Sequence, residues 1–381
     1  MEKIVYILGA GFSAPLGLPV MSNFLEKSKD LYFRDPQKYD HFKEIFEMIK
    51  HISYLKNFIH SDLFNIEEIL SILEMESFVG NNGHLVDEYK QFIKDVVSYY
   101  TPEINDSDVI PYTIPKRPPF NDQTSDWYKF CFGDDSTHNL YGYFVSYLSQ
   151  IGLAQIKDVD KMFFKYKSFP LESEVEYSIL TLNYDLVLES IIDHINKNFP
   201  IDEHSRWQFL NTNQENDKTT QYKIKYAKLH GSIDSDIIMP TWNKKSAKEV
   251  GDAWRFAYSV LKDANQIRIL GYSLPISDNY VRYLLSVGLK NSEHLRNIDV
   301  ITLDSDSKTK ERYEQIFSFP KFRFKNGNIL DYLESFCFSI APMKEQKSQH
   351  TSSNSEITKE LLKLRPEWLE IAHEGFMNTR S

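Results

Sequence analysis

The stretch Ile4-Val5-Tyr6-Ile7-Leu8-Gly9-Ala10-Gly11-Phe12-Ser13 decides the reading of this chain. An unbroken apolar run that stops at glycine describes a strand covered on both faces, as in a parallel sheet. Glycine after such a strand lets the backbone turn tightly and approach a bound group with no Cβ in the way. A helix starting there aims its first amides at an anion such as a pyrophosphate. The spacing is G-A-G-x-S, not the G-x-G-x-x-G of dinucleotide dehydrogenases. Alone, it reads equally well as an ordinary strand-to-helix turn, because short glycine motifs recur by chance.

Working outward, similar apolar runs occur at 178–182, 223–229, 267–270 and 298–303, each stopping at a small or polar residue. Helical spacing lies between most of them. Val187, Leu188, Ile191, Ile192 and Ile195 make one apolar face, and Tyr280, Val281, Leu284, Val287 and Gly288 another. Strand and helix in alternation predict an α/β fold: a Rossmann-like, doubly wound parallel sheet.

Residues 31–170 differ in character and read as a mostly helical subdomain inserted into that sheet. Asn65 followed by Glu68 suits a capping box ahead of Ile69, Leu70, Ile72 and Leu73. Leu85, Tyr89, Phe92, Ile93 and Val96 predict a second helix, and Leu140, Phe144, Tyr147, Leu148 and Ile151 a third. Pro102, Pro111, Pro115, Pro118 and Pro119 mark a loop between them. The expected organisation is a Rossmann domain at 1–30 and 171–340, the insert at 31–170, and a polar linker and tail at 341–381. Within the tail, 343–357 is linker, 357–364 a short helix, and Trp368 and Phe376 aromatic contacts.

Composition narrows the function. A formal net charge of −10 argues against a generally sticky nucleic-acid or membrane surface. The 2 cysteines, Cys131 and Cys337, cannot build a disulfide framework or a four-cysteine zinc site. A reducing, cytoplasmic compartment fits best. The opening apolar run is too short for a signal peptide, and no run approaches the roughly 20 residues of a membrane span.

The blocks at the strand ends now combine. Gly9-Ala10-Gly11-Phe12-Ser13-Ala14-Pro15-Leu16-Gly17-Leu18-Pro19 resembles the first sirtuin motif, G-A-G-x-S-x-x-x-G-I-P. Thr181-Leu182-Asn183-Tyr184-Asp185 resembles T-Q-N-I-D, Leu229-His230-Gly231 the L-H-G block, and Gly271-Tyr272-Ser273-Leu274 the G-T-S-L block. Ile301-Thr302-Leu303-Asp304 stands where sirtuins carry a strand that ends in an adenosine-contacting residue. The order is the sirtuin order. The resemblance covers about 1–30 and 175–335 and says little about the insert or the tail.

The departures matter equally. Val20-Met21-Ser22 stands where sirtuin deacylases carry D-F-R, and Leu182 replaces the motif glutamine. With the zinc cysteines missing as well, the chain is more similar to the bacterial sirtuin-like domains of anti-phage defence. Those domains hydrolyse NAD and often work beside a partner protein. The resemblance therefore implies an NAD glycohydrolase that uses NAD as substrate and needs no zinc. It also implies a homo-oligomer docked to a partner such as a HerA-type ATPase, with an Argonaute-like partner as the runner-up.

Cleaving the nicotinamide–ribose bond creates an oxocarbenium-like centre, and nicotinamide leaves as a neutral amine. The site needs a group to hold water or ribose, and a base. Asn183 can hold either through its amide, or it can simply cap the next helix. His230 titrates near neutral pH and can act as base, or it can be a turn histidine. Asp185 either meets the carboxamide and orients Asn183 or is a first-turn helix acid. Gly9, Ala10, Gly11, Ser13, Leu18, Pro19, Gly271, Ser273 and Asp304 are the expected cofactor contacts. For Ser13 and Ser273 local capping is the competing role, and for Asp304 a strand-end turn. His41, His51, His60, His138 and His204 show no metal-ligand spacing. Two rival functions remain: a protein deacylase of the same fold, and a non-catalytic NAD or ADP-ribose sensor.

Overall fold

The structure, a computed structural model, describes residues 1–54, 65–80, 83–104, 132, 136–158, 163–201, 205–210, 221–237, 248–339 and 366–379. Most of the proline-rich segment, the 343–357 linker, the short helix expected at 357–364, His60 and His204 lie outside them.

A seven-stranded parallel sheet forms the centre. Its strands are β1 (Glu2–Leu8), β4 (Val175–Thr181), β5 (Arg206–Leu210), β6 (Gln221–Lys228), β7 (Gln266–Leu270), β8 (Asn297–Thr302) and β9 (Phe322–Asn326). The spatial order is β5-β6-β4-β1-β7-β8-β9, every pair parallel. The chain winds from β1 through β4 to β6, then crosses back over β1 to continue at β7, β8 and β9. That reversal is the Rossmann switch, and it puts the ligand crevice at the carboxyl ends of β1 and β7.

The unbroken apolar run of β1 is explained by its two faces. Ile4, Tyr6 and Leu8 enter one hydrophobic cluster, and Val5 and Ile7 another. Ala257 and Leu261 of α8 (Lys248–Asp263), Val281 and Leu285 of α9 (Asn279–Lys290), and Tyr313 of α10 (Lys308–Glu314) cover the second face. On the first face lie α7 (Val187–Asn198), α11 (Ile329–Ser339) and the inserted helices.

Those helices are α2 (Phe24–Arg34), α3 (Phe42–Ser53), α4 (Ile66–Gly80), α5 (His84–Tyr100) and α6 (Ser136–Leu148), after the single turn α1 (Ala10–Ser13). Their apolar residues Phe24, Phe42, Leu70, Phe92 and Phe144 share the cluster that holds Ile4 and Tyr6. An antiparallel hairpin, β2 (Ile151–Asp158) and β3 (Phe163–Pro170), closes the mostly helical insert and was not anticipated from the sequence. Ile151, assigned by its spacing to a helical face, opens that hairpin instead.

The α7 face is as expected, with Val187, Leu188, Ile191, Ile192 and Ile195 buried. On α9 the inward set is Val281, Leu285 and Gly288, while Val287 is 50% exposed. Gly288 allows close helix packing there, since a Cβ would stand 2.9 Å from Leu261 Cβ.

The tail helix α12 (Pro366–Asn378) packs on the chain's own sheet. Tyr6, Arg268, Asp299 and Arg323 form a row across β1, β7, β8 and β9. Glu370 pairs with Arg268, His373 Nε2 lies 2.9 Å from Asp299 Oδ2, and Glu374 pairs with Arg323 at 2.7 Å. Phe376 packs edge-on against Tyr332 at 5.2 Å. Asp299, His373 and Glu374 lie close enough together for a metal, but Arg323 donates to both carboxylates, so a cation already neutralises the group. No helix among the described residues is long and apolar enough to cross a membrane.

Candidate functional site

The loops after β1 and β7 interlock. The Gly9 amide donates to the Leu270 carbonyl at 3.0 Å, and the Gly11 amide to the Gly271 carbonyl at 2.8 Å. A Cβ on Gly9 would lie 2.6 Å from Tyr272 Cα, and one on Gly11 2.7 Å from the Gly271 oxygen. Gly271 has φ +64 and leaves no room for a Cβ beside the Phe12 amide. The glycines therefore let two strand-end loops touch each other. Ala10 is exposed there, whereas Leu18 and Pro19 are buried beneath.

Asn183 leaves β4 into the same place. Its side-chain amide donates to the Gly9 carbonyl at 3.0 Å and to Ser13 Oγ at 3.1 Å. Ser13 is buried, and its hydroxyl serves Asp185. Asp185 also accepts the Val187 amide at 3.1 Å, at the start of α7. Burial raises the Asp185 pKa, opposed by Lys228, the Val187 amide and Ser13. Asn183, Ser13 and Asp185 are thus one connected group spanning β1 and β4. Helix capping, the competing role for Asp185, is real and coexists with it.

His230 leaves β6 and is 1% exposed. Among the described residues neither ring nitrogen has a hydrogen-bond partner. Nδ1 faces Glu67 Oε1 at 3.7 Å and Nε2 faces Asp278 Oδ2 at 3.6 Å, while the Tyr184 ring lies 6.3 Å away. Burial lowers the ring's pKa against the pull of Asp278 and of the nearby Leu182 backbone carbonyl, so the imidazole is neutral at physiological pH.

Neither carboxyl was singled out in the sequence. Asp278 caps α9 by accepting the Val281 amide at 3.3 Å and takes a 2.5 Å hydrogen bond from the Tyr272 hydroxyl. Glu67 stands in the first turn of α4, a helix of the insert. Asn65 caps that helix through the Glu67 and Glu68 amides at 3.0 and 3.1 Å. The Asn65 side chain also donates to Ser277 Oγ at 2.9 Å, and Met21 Sδ accepts the Ile66 amide at 3.2 Å. Met21, in the stretch that departs from the deacylase pattern, therefore anchors the helix that brings Glu67 in. Burial, then Asp278, pushes the Glu67 carboxyl up to about 8.

Two expected contacts sit differently. The Asp304 carboxylate accepts the Thr309 and Lys310 amides at 3.1 and 3.0 Å, so it caps α10. Ser273 is exposed, and its carbonyl accepts Arg312 Nε at 3.0 Å. Both lie at strand ends on the β7–β8 side of the switch, as expected.

Residues 177–323, from β4 into β9, match the family model of the SIR2-like domain. No curated protein matches the chain. Among solved structures, one is of Sir2 in complex with the inhibitor EX-527, 2′-O-acetyl-ADP-ribose and a deacetylated p53 peptide. It is similar over 87% of this chain and 91% of its own, at 11% identity and a TM-score of 0.28. The matched segment carries Asn183 and Asp185 after β4, His230 after β6 and Gly271 after β7, all on one parallel sheet, and it is similar to the SIR2-like domain.

Proposed function

We propose that the protein is an NAD glycohydrolase that cleaves the nicotinamide–ribose bond to nicotinamide and ADP-ribose. The observation that supports this reading is that the linked Asn183, Ser13 and Asp185 and the buried His230 all follow carboxyl ends of strands in one parallel sheet. A histidine kept neutral and left without partners is suited to accept a proton. In the reaction the C1′–nitrogen bond breaks and its electron pair stays with nicotinamide. Water forms the new C1′–oxygen bond, and His230 takes the proton that water gives up. Asn183, already held by Gly9 and Ser13, positions the water or the ribose hydroxyl. The loops of Gly9, Gly11 and Gly271 seat the pyrophosphate beside Ala10, Ser13 and Ser273, while Leu18 and Pro19 support the loop from below and Asp304 acts by holding the start of α10.

The test is nicotinamide release from NAD by the purified chain, followed by chromatography, with and without an acyl-lysine peptide. Release without peptide supports hydrolysis. A deacylated peptide product would show a deacylase, and binding without release a sensor. The cysteine count favours hydrolysis over the deacylase reading, because two cysteines cannot build the four-cysteine zinc site of deacylases. By resemblance, the wider role is NAD depletion in anti-phage defence, as a cytoplasmic homo-oligomer with a HerA-type partner. Light scattering at micromolar concentration tests the oligomer, and a monomer would defeat it.

A further inference from the structure

His230 is flanked by carboxyl groups that reach it from opposite sides. Asp278 comes from the loop after β7 and Glu67 from the inserted helix α4. The titratable groups packed around the imidazole and Glu67 are Asp278, Tyr184 from the β4 loop and Tyr272 from the β7 loop. No lysine or arginine of the described residues is among them. Asp278 has its own partners in the Tyr272 hydroxyl and the Val281 amide. Glu67 Oε1 faces Nδ1 at 3.7 Å, a gap that a small rotation or a bound substrate closes.

A buried imidazole can work as a base through one nitrogen only if the other carries the proton and has somewhere to donate it. Neither nitrogen makes a well-formed hydrogen bond among the described residues, although the ring is 1% exposed and the Leu182 backbone carbonyl lies near it. Leaving such a donor unpaired in the interior costs about 1–3 kcal/mol. The side-chain acceptor that faces Nδ1 is Glu67, at 3.7 Å.

We propose that Glu67, carried in by the insert, is a positioning residue for His230, accepting its Nδ1–H and leaving Nε2 free to take the substrate's proton. This rests on the hydrolase reading for the reaction, but the tautomer it fixes is a property of the ligand-free protein. The insert is then part of the site: without α4, His230 has Asp278 but no group on Nδ1.

The charge state fits. A protonated carboxyl keeps a carbonyl oxygen that accepts a hydrogen bond, and it adds no second buried negative charge beside Asp278. The pH at which Glu67 ionises, about 8, lies within reach of an assay.

Two measurements test it. In the full-length, ligand-free protein labelled with 15N-histidine, the His230 resonances identify the tautomer at pH 7. His230→Gln assigns them. Wild type and Glu67→Gln should both show the Nδ1–H form, since glutamine keeps the accepting oxygen. Glu67→Ala should shift the ring toward a mixture. An unchanged tautomer in Glu67→Ala overturns the proposal whether or not NAD is cleaved.

The second measurement is the pH profile of nicotinamide release. Wild type should bend between pH 7 and 9 as Glu67 ionises, and Glu67→Gln should lack that bend. Glu67→Ala should lose at least tenfold in kcat with KM for NAD within threefold, and Glu67→Gln should recover most of the loss. Superimposable profiles, or an alanine variant as active as wild type, overturn the positioning role. If wild type releases no nicotinamide, the hydrolase reading fails, and the tautomer measurement still decides the role of Glu67.

Discussion

The Gly11 amide donates to the Gly271 carbonyl at 2.8 Å, and a Cβ on Gly11 would stand 2.7 Å from that same oxygen. The glycine loop thus meets the protein itself before it meets any ligand. Gly11→Val should lower folding stability by about 2 kcal/mol or more, through overpacking against backbone that cannot rotate away. NAD affinity should fall with it. Denaturant unfolding and calorimetry check both, and a Gly11→Val protein as stable as wild type would show that the loops can separate freely.

Asn183→Ala and His230→Ala should each reduce nicotinamide release by about 10²-fold or more, the scale of a lost positioning or acid–base group. They should differ in stability. Asn183→Ala removes the amide that serves the Gly9 carbonyl and Ser13, costing about 1–3 kcal/mol. His230→Ala removes a buried ring whose polar contacts are looser, with Glu67 and Asp278 at 3.7 and 3.6 Å, so the loss is mainly of packing. Turnover near wild type in either variant would strike that residue from the mechanism.

Acid should loosen the seam between α12 and the sheet through His373. Burial, then Arg268, holds this histidine at about 4, against the pull of Asp299 and Glu374. The unfolded chain takes up the proton near pH 6.5 and the folded one only near 4. The stability is therefore present above 6.5 and lost as pH falls from 6.5 to about 4. The loss amounts to about 3 kcal/mol over that window. Asp299 works in a lower range. Burial raises its pKa, but the Arg323 and His373 hydrogen bonds outweigh this and hold it below the usual value. His373→Gln should flatten the stability-versus-pH curve between pH 7 and 4; a curve as steep as wild type would place the acid sensitivity elsewhere.

β1 was legible because it is buried on both faces and reads as an unbroken apolar run; β4, β6, β7 and β8 were legible because mostly apolar stretches end in recognisable blocks, even where polar residues interrupt them. β5 and β9 were not. Arg206-Trp207-Gln208-Phe209 and Phe322-Arg323-Phe324-Lys325 alternate, as edge strands do, and give no such run. Within the site, Asn183, Asp185 and His230 were found because each follows a strand in a recognisable block. Glu67 gave no such signal. It lies 163 residues from His230 in sequence and looks like any first-turn helix acid until folding brings α4 across the sheet edge. Asp278 follows its strand by eight residues, past the block that drew attention to Gly271. The packing of the tail was not legible either: Glu370, His373 and Glu374 meet a polar row inside the sheet that the strand patterns hide.

Removing that tail should therefore cost stability before it costs any partner. Arg268 is fully buried and donates to Tyr6 and Glu370, with 2.8 Å to the Tyr6 hydroxyl and 3.0 Å to Glu370 Oε1. Glu370→Ala would leave a buried guanidinium with no carboxylate. Loss of one partner from a buried pair is expensive, and with Glu370 itself a quarter exposed the expected cost is about 2 kcal/mol or more. Replacing both residues, Arg268→Met with Glu370→Leu, should recover most of the loss, because the desolvation penalty disappears along with the attraction. Deleting 366–381 should destabilise at least as much as Glu370→Ala, since it also uncovers Asp299 and Arg323. Denaturant titration of the three variants decides the matter. A deletion that unfolds at the wild-type midpoint would mean that α12 adds nothing to the fold and is free to serve another surface.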